Sequence, residues 1–463
     1  MPQPFERKLN SRLIFSIIAA GIMAFSGVTV ETAMNVTFPT LMQEFGVTTQ
    51  TVKWMTTSNL LVLALVVPIS SYLGKRFKTK HIFIAAMALY LSGIFCGMLA
   101  PNFNILLLGR VLEGAGAGVS LPLMFNIITE QAPEKNMGAM MGTGTLVIAV
   151  APAIGPSLGG WLAETFGWRS IFTALLPILL VAFVLGITSI SQSHELTRPR
   201  FDAIGWLALS GAFCALVFSI DLGASLGWTS LPELGLIALF VVLIALFCWH
   251  EGREEHPLIR LSIFGHARFV AGLVALMCIQ MIVLGNSFLI PNFAQITHGT
   301  GELEAGSILL WGCLVGAAIA PVSGQILDRF GARRPLLFGA TCLMVATLLF
   351  ATQLSWIGVV QMSIIYVLFA LGQSLMVGNT MTVSLRELPQ DVKADGNATI
   401  NTLQQLFGAL GTATASNIVN AAQLGAADMA AATFTGTQTA FVVMAAIACV
   451  PVMCMVLLVG KTS

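Results

Sequence analysis

Glu31, Arg110 and Glu113 are the only ionisable residues deep inside the long apolar stretches of this chain. A charged group at bilayer depth costs about 2.5–3.5 kcal/mol on insertion scales, so each is a functional-site candidate by default. Arg110 and Glu113, at i and i+3, face the same way on a helix. Arg110 can satisfy one carboxylate, which leaves the other free to take up a proton or a lipophilic cation. Proton and cation then compete for one site, as exchange requires, and the two acids titrate as a coupled unit. Glu31 is the first choice for the exchangeable proton, with Glu113 second and Arg110 as tuner. Glu31, Glu113 and Asn35, one turn from Glu31, are the candidate substrate contacts. The competing reading is an Arg110–Glu113 structural ion pair, with Glu31 lining a wet cavity.

The elements that hold these residues are read from hydropathy. The 463 residues are 56% hydrophobic and 9% charged, with a mean hydropathy of +0.88. Apolar runs of about 20 residues recur, the length that crosses a bilayer core as a helix. The candidate spans are 13–40, 53–73, 82–100, 105–129, 138–162, 168–190, 204–223, 234–249, 268–294, 305–327, 335–352, 356–385, 396–420 and 435–459. The eighth is short and the thirteenth polar. With the N-terminus in the cytoplasm, all of the 22 Lys and Arg fall on the cytoplasmic side except Lys53, Arg169 and the intramembrane Arg110. A missed or invented span would flip every later loop and spoil this positive-inside pattern. Fourteen helices with both termini cytoplasmic are therefore expected.

Depth follows from the helical rise of 1.5 Å per residue. Glu31 lies about 15 Å in from the outer end of the first span, and Arg110 and Glu113 about 9 and 13 Å from the same surface. All three reach one level in the outer half of the membrane.

Several classes are excluded. No Walker motif, metal-ligand spacing or nucleophile–base set is present, so an enzyme is not expected, nor a cofactor or metal. The basic residues sit in short loops rather than on one face, which argues against nucleic acid. None of the six histidines is mid-membrane, which argues against a histidine relay. The eight cysteines lack CxxC spacing and read as small packing residues. Arg7, Lys8 and Arg12 ahead of an apolar run mimic a signal peptide, but the run is too long and lacks a small-residue cleavage site, which predicts an uncleaved first helix. Asp221 reads as a rim residue. The polar stretch from Asn397 to Asn417, with Gln404 and Gln405, either lines a cavity or bonds neighbouring helices.

The chain repeats itself. Tyr72-Leu73-Gly74-Lys75-Arg76-Phe77 aligns with Gln325-Ile326-Leu327-Asp328-Arg329-Phe330 at an offset of 253, Pro39 with Pro291 at 252, and Pro133 with Pro389 at 256. Two six-helix halves, 1–190 and 268–463, flank two inserted helices in 191–267. Such repeats are a transporter architecture, with substrate held between halves that rock against each other. The buried charges belong to the first half only: Arg110 and Glu113 map onto Tyr366 and Phe369, and Glu31 near Val283.

The motifs resemble those of the major facilitator superfamily, in its 14-helix drug:proton antiporter branch, from the first span to the last. Ala151-Pro152-Ala153-Ile154-Gly155-Pro156-Ser157-Leu158-Gly159-Gly160 resembles the antiporter motif associated with export. Its prolines remove backbone donors, and its glycines allow a close helix approach. The loop running from Gly324 through Asp328, Arg329 and Gly331 to Arg333 and Arg334 resembles the superfamily's cytoplasmic gate motif, in which an acid and arginines latch that face. The first-half copy departs from it, with Lys75 in place of Asp and Lys78 in place of Gly. Glu31-Thr32-Ala33-Met34-Asn35-Val36-Thr37-Phe38-Pro39 is similar to a motif that usually has Asp first. Leu108-Gly109-Arg110-Val111-Leu112-Glu113-Gly114 is similar to one with Gln, commonly, at the position of Glu113.

The resemblance implies an all-α major facilitator fold and a proton-driven exporter of amphipathic cationic or neutral toxic compounds. It implies action as a monomer in the cytoplasmic membrane, with the proton gradient in place of a cofactor. A proton-coupled transporter of a specific metabolite, lipid or siderophore is the alternative.

Overall fold

The computed structural model describes residues 10–192, 196, 201–227, 229–254, 257–389 and 392–459. Arg7 and Lys8, and parts of the two charged linkers, lie outside these. The described residues form helices and no strand. The first half comprises α1 (Ser11–Val36), α2 (Phe38–Phe45), α3 (Thr49–Val52), α4 (Trp54–Arg76), α5 (Thr79–Leu99), α6 (Phe103–Gln131), α7 (Glu134–Phe166) and α8 (Ser170–Ser189). The inserted pair is α9 (Ala203–Leu226) and α10 (Leu231–Glu251). The second half comprises α11 (Ala267–His298), α12 (Glu302–Phe330), α13 (Arg333–Gln353), α14 (Val359–Arg386), α15 (Lys393–Gln423) and α16 (Met429–Val459). Among the described residues, fourteen of these helices have 20 residues or more, one for each expected span. Twelve spans are long and apolar enough to cross a membrane. The other two long helices are α7, whose sequence is broken by Gly and Pro, and the polar α15.

Two spans differ from the sequence reading in shape. The first is broken at Thr37, and the chain restarts as the short α2 with Pro39 near its start. Proline has no N–H to continue the α1 ladder but fits the first turn of a new helix. The second begins earlier than expected, as α3, and continues through Lys53, whose backbone stays in the right-handed helical region, into α4.

The two halves repeat one packing scheme. α1 packs on α6, α7 and α8 as α11 packs on α14, α15 and α16, and α5 packs on α6 as α13 packs on α14. The halves meet along two seams, α7 against α12 and α4 against α15. α9 lies over the second seam, touching both α15 and α4, while α10 packs on α9 and carries exposed Ile237, Leu239, Val241 and Val242. Trp206 of α9 donates to the Leu65 carbonyl at 2.9 Å, and the ring of Phe201 packs on Tyr72 at a tilt, so the inserted pair is fastened to α4 near the end that carries the basic loops.

The hydrogen bonds that join the two halves among the described residues lie toward the other end, here the far end. Asn35 donates to Ser287 at 2.9 Å, Gln295 to the Val36 carbonyl at 2.7 Å, Thr49 to Gln423 at 2.6 Å, and the Leu303 amide to Glu164 at 2.9 Å. Asn35 and Ser287 are 252 residues apart, the same offset as Pro39 and Pro291, so the pseudo-twofold axis of the repeat passes between them. Near the basic end, Gly324 and Gly378 have open space around them. Among the described residues, the hydrogen bonds between the halves thus cluster at the far end. Cysteines introduced by Thr49→Cys and Gln423→Cys, in a background with the native cysteines replaced, should cross-link on oxidation and stop transport. Reductant should restore it. Cross-linking without loss of transport would mean that the seam does not open in the cycle.

Candidate functional site

The three buried charges gather where α1, α4 and α6 meet, each placed by a different helix contact. Arg110 and Glu113 lie on the buried face of α6, each 1% exposed, and form an ion pair within the helix. The guanidinium Nε also donates to the Met55 carbonyl of α4 at 3.0 Å. Asn59 of α4 donates to the Arg110 carbonyl at 2.9 Å, which locks α4 against α6. Glu113 points toward α5, where glycine makes room for it: a Cβ on Gly93 would stand 2.6 Å from Glu113 Cγ. Tyr90, one helical turn before Gly93, is 1% exposed, lies within electrostatic reach of the pair, and its hydroxyl has no partner among the described residues.

Glu31 approaches from α1. It is 8% exposed, lies within electrostatic reach of Arg110, and makes no hydrogen bond among the described residues. One guanidinium nitrogen (Nη2) and one Glu113 oxygen (Oε1) are likewise unpartnered. The cluster is thus a closed pair, Arg110–Glu113, with a third charge site beside it. Asn35, one turn along α1, accepts from Thr56 of α4 and donates to Ser287, so in this conformation its amide bridges the halves. The counterparts in the second half carry no charge: Tyr366 and Phe369 stack with ring centroids 5.6 Å apart.

The motif of α7 forms the first seam. Gly159 meets α1, where a Cβ would lie 2.7 Å from Cα of Ala33. Gly160 meets α12, where a Cβ would lie 2.9 Å from Cα of Leu303. Gly155 abuts Thr32, and Pro156 is matched by Gly306 of α12. Backbones this close require residues without side chains, and Pro152 and Pro156 sit inside the helix. Thr40 and the buried Glu302 hydrogen bond at the rim of this seam.

The second seam gives the outer-side Lys53 and the rim residue Asp221 a shared role that the sequence reading did not assign. Lys53 is 0% exposed. It forms an ion pair with Asp221 of the inserted α9 and a hydrogen bond with Asn417 of α15. Gln50 donates to the same Asp221 at 3.1 Å, and Asn417 donates to the Ile220 carbonyl at 3.0 Å. The reason is that Lys53 stands at the junction of α3 and α4, both of which pack on α15, with α9 lying over the same seam. On the polar stretch of α15, Thr412 and Asn417 bond to neighbouring helices. Gln404 and Gln405 are half-buried without a hydrogen-bond partner among the described residues.

The expected gate residues Gly324, Asp328, Arg329, Gly331, Arg333 and Arg334 are all exposed at the basic end. Asp328 lies 3.8 Å from Arg386 of α14, within its own half. At the far end, outside the spans, burial raises the Glu44 carboxyl. The Trp168 indole at 2.6 Å and Arg169 at 2.8 Å outweigh this and hold it below the usual carboxylate range.

Glu113→Ala leaves Arg110 buried without its counter-ion and should cost about 3–5 kcal/mol of stability, the usual cost of breaking a buried pair. Glu31→Gln breaks no hydrogen bond and should leave unfolding within about 1 kcal/mol of the parent. Chemical denaturation in detergent measures both, and equal losses would refute the division of roles. Gly160→Leu should hold the first seam apart, which would lengthen spin-label distances across the far end. An unchanged distance distribution would show that the seam tolerates a side chain.

Comparison with known proteins agrees with this architecture. Residues 19–412 match the Major Facilitator Superfamily. The lincomycin resistance protein LmrB of Listeria monocytogenes is 33% identical over 450 residues, covering 95% of each chain. Its Bacillus subtilis namesake is 32% identical over 413 residues, covering 89% of this chain and 86% of that protein. The multidrug resistance protein B homolog of Mycobacterium tuberculosis is 27% identical over 405 residues, covering 86% and 74%. Among solved structures, a bacterial homolog of the human lysosomal transporter Spinster, in an inward-facing and occupied conformation, superposes with a TM-score of 0.67 at 16% identity, covering 98% of both chains. A peptide transporter POT bound to sulfate gives 0.67 at 14%, covering 94% and 93%. At these identities the likeness speaks for the fold alone. From the match across the chain and the close relatives, this protein belongs to the major facilitator superfamily, in its drug:proton antiporter family.

Proposed function

We propose that the protein exports amphipathic cationic or neutral drugs in exchange for protons, by alternating access. The observation that carries this reading is Glu31, a nearly buried carboxylate without a hydrogen-bond partner beside an arginine already paired with Glu113. Relatives named for lincomycin and multidrug resistance support a drug as cargo.

The basic loops support reading the end that carries them as cytoplasmic, by the positive-inside rule, and the hydrogen bonds clustered at the far end support reading it as open toward the cytoplasm. In this state the site faces inward. A cation reaching Glu31 displaces its proton to the cytoplasm; after the halves rock, a proton from outside takes the carboxylate and the drug leaves. Arg110 keeps its charge throughout, and Glu113 neutralises it, so the change of charge is confined to Glu31. The α7–α12 and α4–α15 seams form the outer gate, with Lys53 and Asp221 fastening α9 into it. The exposed gate residues latch the cytoplasmic end in the opposite state. Asn35, freed from Ser287 when the far end opens, contacts substrate there.

The driving force is adequate. A 100 mV potential supplies about 2.3 kcal/mol per charge, and one pH unit adds about 1.4 kcal/mol. One proton then holds a neutral substrate at a gradient of several hundredfold (about 3.7 kcal/mol). A monovalent cation exchanged one-for-one feels only the pH term.

In inverted vesicles, Glu31→Gln should reduce pH-gradient-driven drug uptake to below about one-tenth of the parent, and the purified variant should release no proton on drug addition. Uptake at the parent rate would remove Glu31 from the mechanism. Drug movement in the opposite direction would overturn export.

A further inference from the structure

α12 and α13 are joined by a short turn at Gly331–Ala332, yet they do not pack together along their length. α12 packs on α7 and α14, whereas α13 packs on α14 and α16. The two helices therefore diverge from the turn, with α14 as a floor between them. The space they enclose is a cavity of about 610 Å³ at the basic end. Its walls include Val322, Ile326 and Phe330 of α12 and Phe338 of α13, over Leu371 and Leu375 of α14. Val322, Phe330 and Phe338 are 46%, 48% and 56% exposed. Large apolar side chains this open, on the flank of a membrane-spanning bundle, face lipid rather than water.

Arg334 is the one charged residue in the lining, next to the turn. It is exposed, and none of the described residues pairs with it. The nearby acid Asp328 is engaged by Arg386. The groove thus joins an apolar channel long enough for a hydrocarbon tail to a single unneutralised guanidinium at the level where helices leave the bilayer.

We propose that this groove binds an anionic phospholipid, with one acyl chain between α12 and α13 and the phosphate on Arg334. Charge complementarity selects the occupant. A zwitterionic lipid offers the same chain, but its phosphate is already balanced within its own headgroup. A free phosphate offers the charge without the apolar part, and a bare alkyl chain leaves Arg334 unpaired. The guanidinium presents paired donors that match phosphate oxygens. Basic pockets between transmembrane helices on the cytoplasmic side take anionic headgroups for the same reason. The site is separate from the Glu31 cluster and does not depend on what the protein exports.

The full-length protein in detergent, given equal amounts of phosphatidylglycerol and phosphatidylcholine with identical chains, tests this by native mass spectrometry. One phosphatidylglycerol should be retained in preference to phosphatidylcholine. Arg334→Gln should lower that retention about tenfold, while Arg333→Gln, whose side chain does not line the groove, should leave it unchanged. Val322→Trp, which fills the groove while Arg334 stays, should also lower it, and thermal unfolding of each variant confirms that it is folded. Glycerophosphoglycerol, the headgroup without chains, should not compete at the same concentration. Equal retention by the parent and Arg334→Gln, insensitivity to Val322→Trp, or competition by the bare headgroup would each overturn the proposal. A protein dimer lost on Val322→Trp would overturn it too, by giving the groove to a second copy.

Discussion

Arginine cannot give up its charge at any physiological pH, so Arg110 imposes its own neutralisation on everything around it. The chain meets that demand within one helix, through Glu113 one turn away, and across to α4, through the Met55 carbonyl. Asn59 closes the same contact from the other side. These bonds fix α4 and α6 to each other, and Gly93 lets α5 close over the pair. Once the pair is complete, any further acid beside it is surplus. Glu31 is that surplus, and its position on α1 sets it next to the face where the halves meet. The chemistry proposed for the protein follows from this excess of one carboxylate over one guanidinium.

The second half repeats the scaffold without the charge. Where the first half has Arg110 and Glu113, the second has the stacked rings of Tyr366 and Phe369. Tyr366 also packs on Gly312 and Cys313 of α12, so the second half has uncharged packing where the first has an ion pair. The seams reflect a different economy. Seam α7–α12 relies on Gly160 and Gly306 to bring backbones together. Seam α4–α15 relies on a buried ion pair and amide bonds at Lys53, Asp221 and Asn417. The inserted α9 therefore takes part in closing the far end, with its other end tied to α4 through Trp206.

Much of the fold was legible in the sequence because a bilayer leaves a chain few options. Every backbone donor must be satisfied within the span, so long apolar runs become helices, and loop charge sets their direction. Fourteen spans, the repeat offset of 252 to 256 and the inserted pair all follow from that pattern. Helical spacing also put Arg110 and Glu113 on one face, and rise per residue brought Glu31 to their level. That spacing leaves two readings, an exchange site at Glu31 or a structural ion pair with Glu31 lining a wet cavity, and the observed Arg110–Glu113 pair fits both.

Sequence by itself determined the long helices, their number and which residues carry unusual charge, since each depends on local hydropathy and spacing. Only the tertiary structure decided the partners. Lys53 reads as an outer-side lysine at the start of a span, and nothing local reveals that it pairs with Asp221, 168 residues away. Tyr90 carried one signal, as one of only three tyrosines and mid-span, but its nearness to Glu113 depends on how α5 crosses α6. Asn35 reads as a substrate contact, whereas its bonds to Thr56 and Ser287 arise because the far end is closed. A side chain's partners depend on helix rotation, crossing angle and conformational state, and these belong to the assembled bundle.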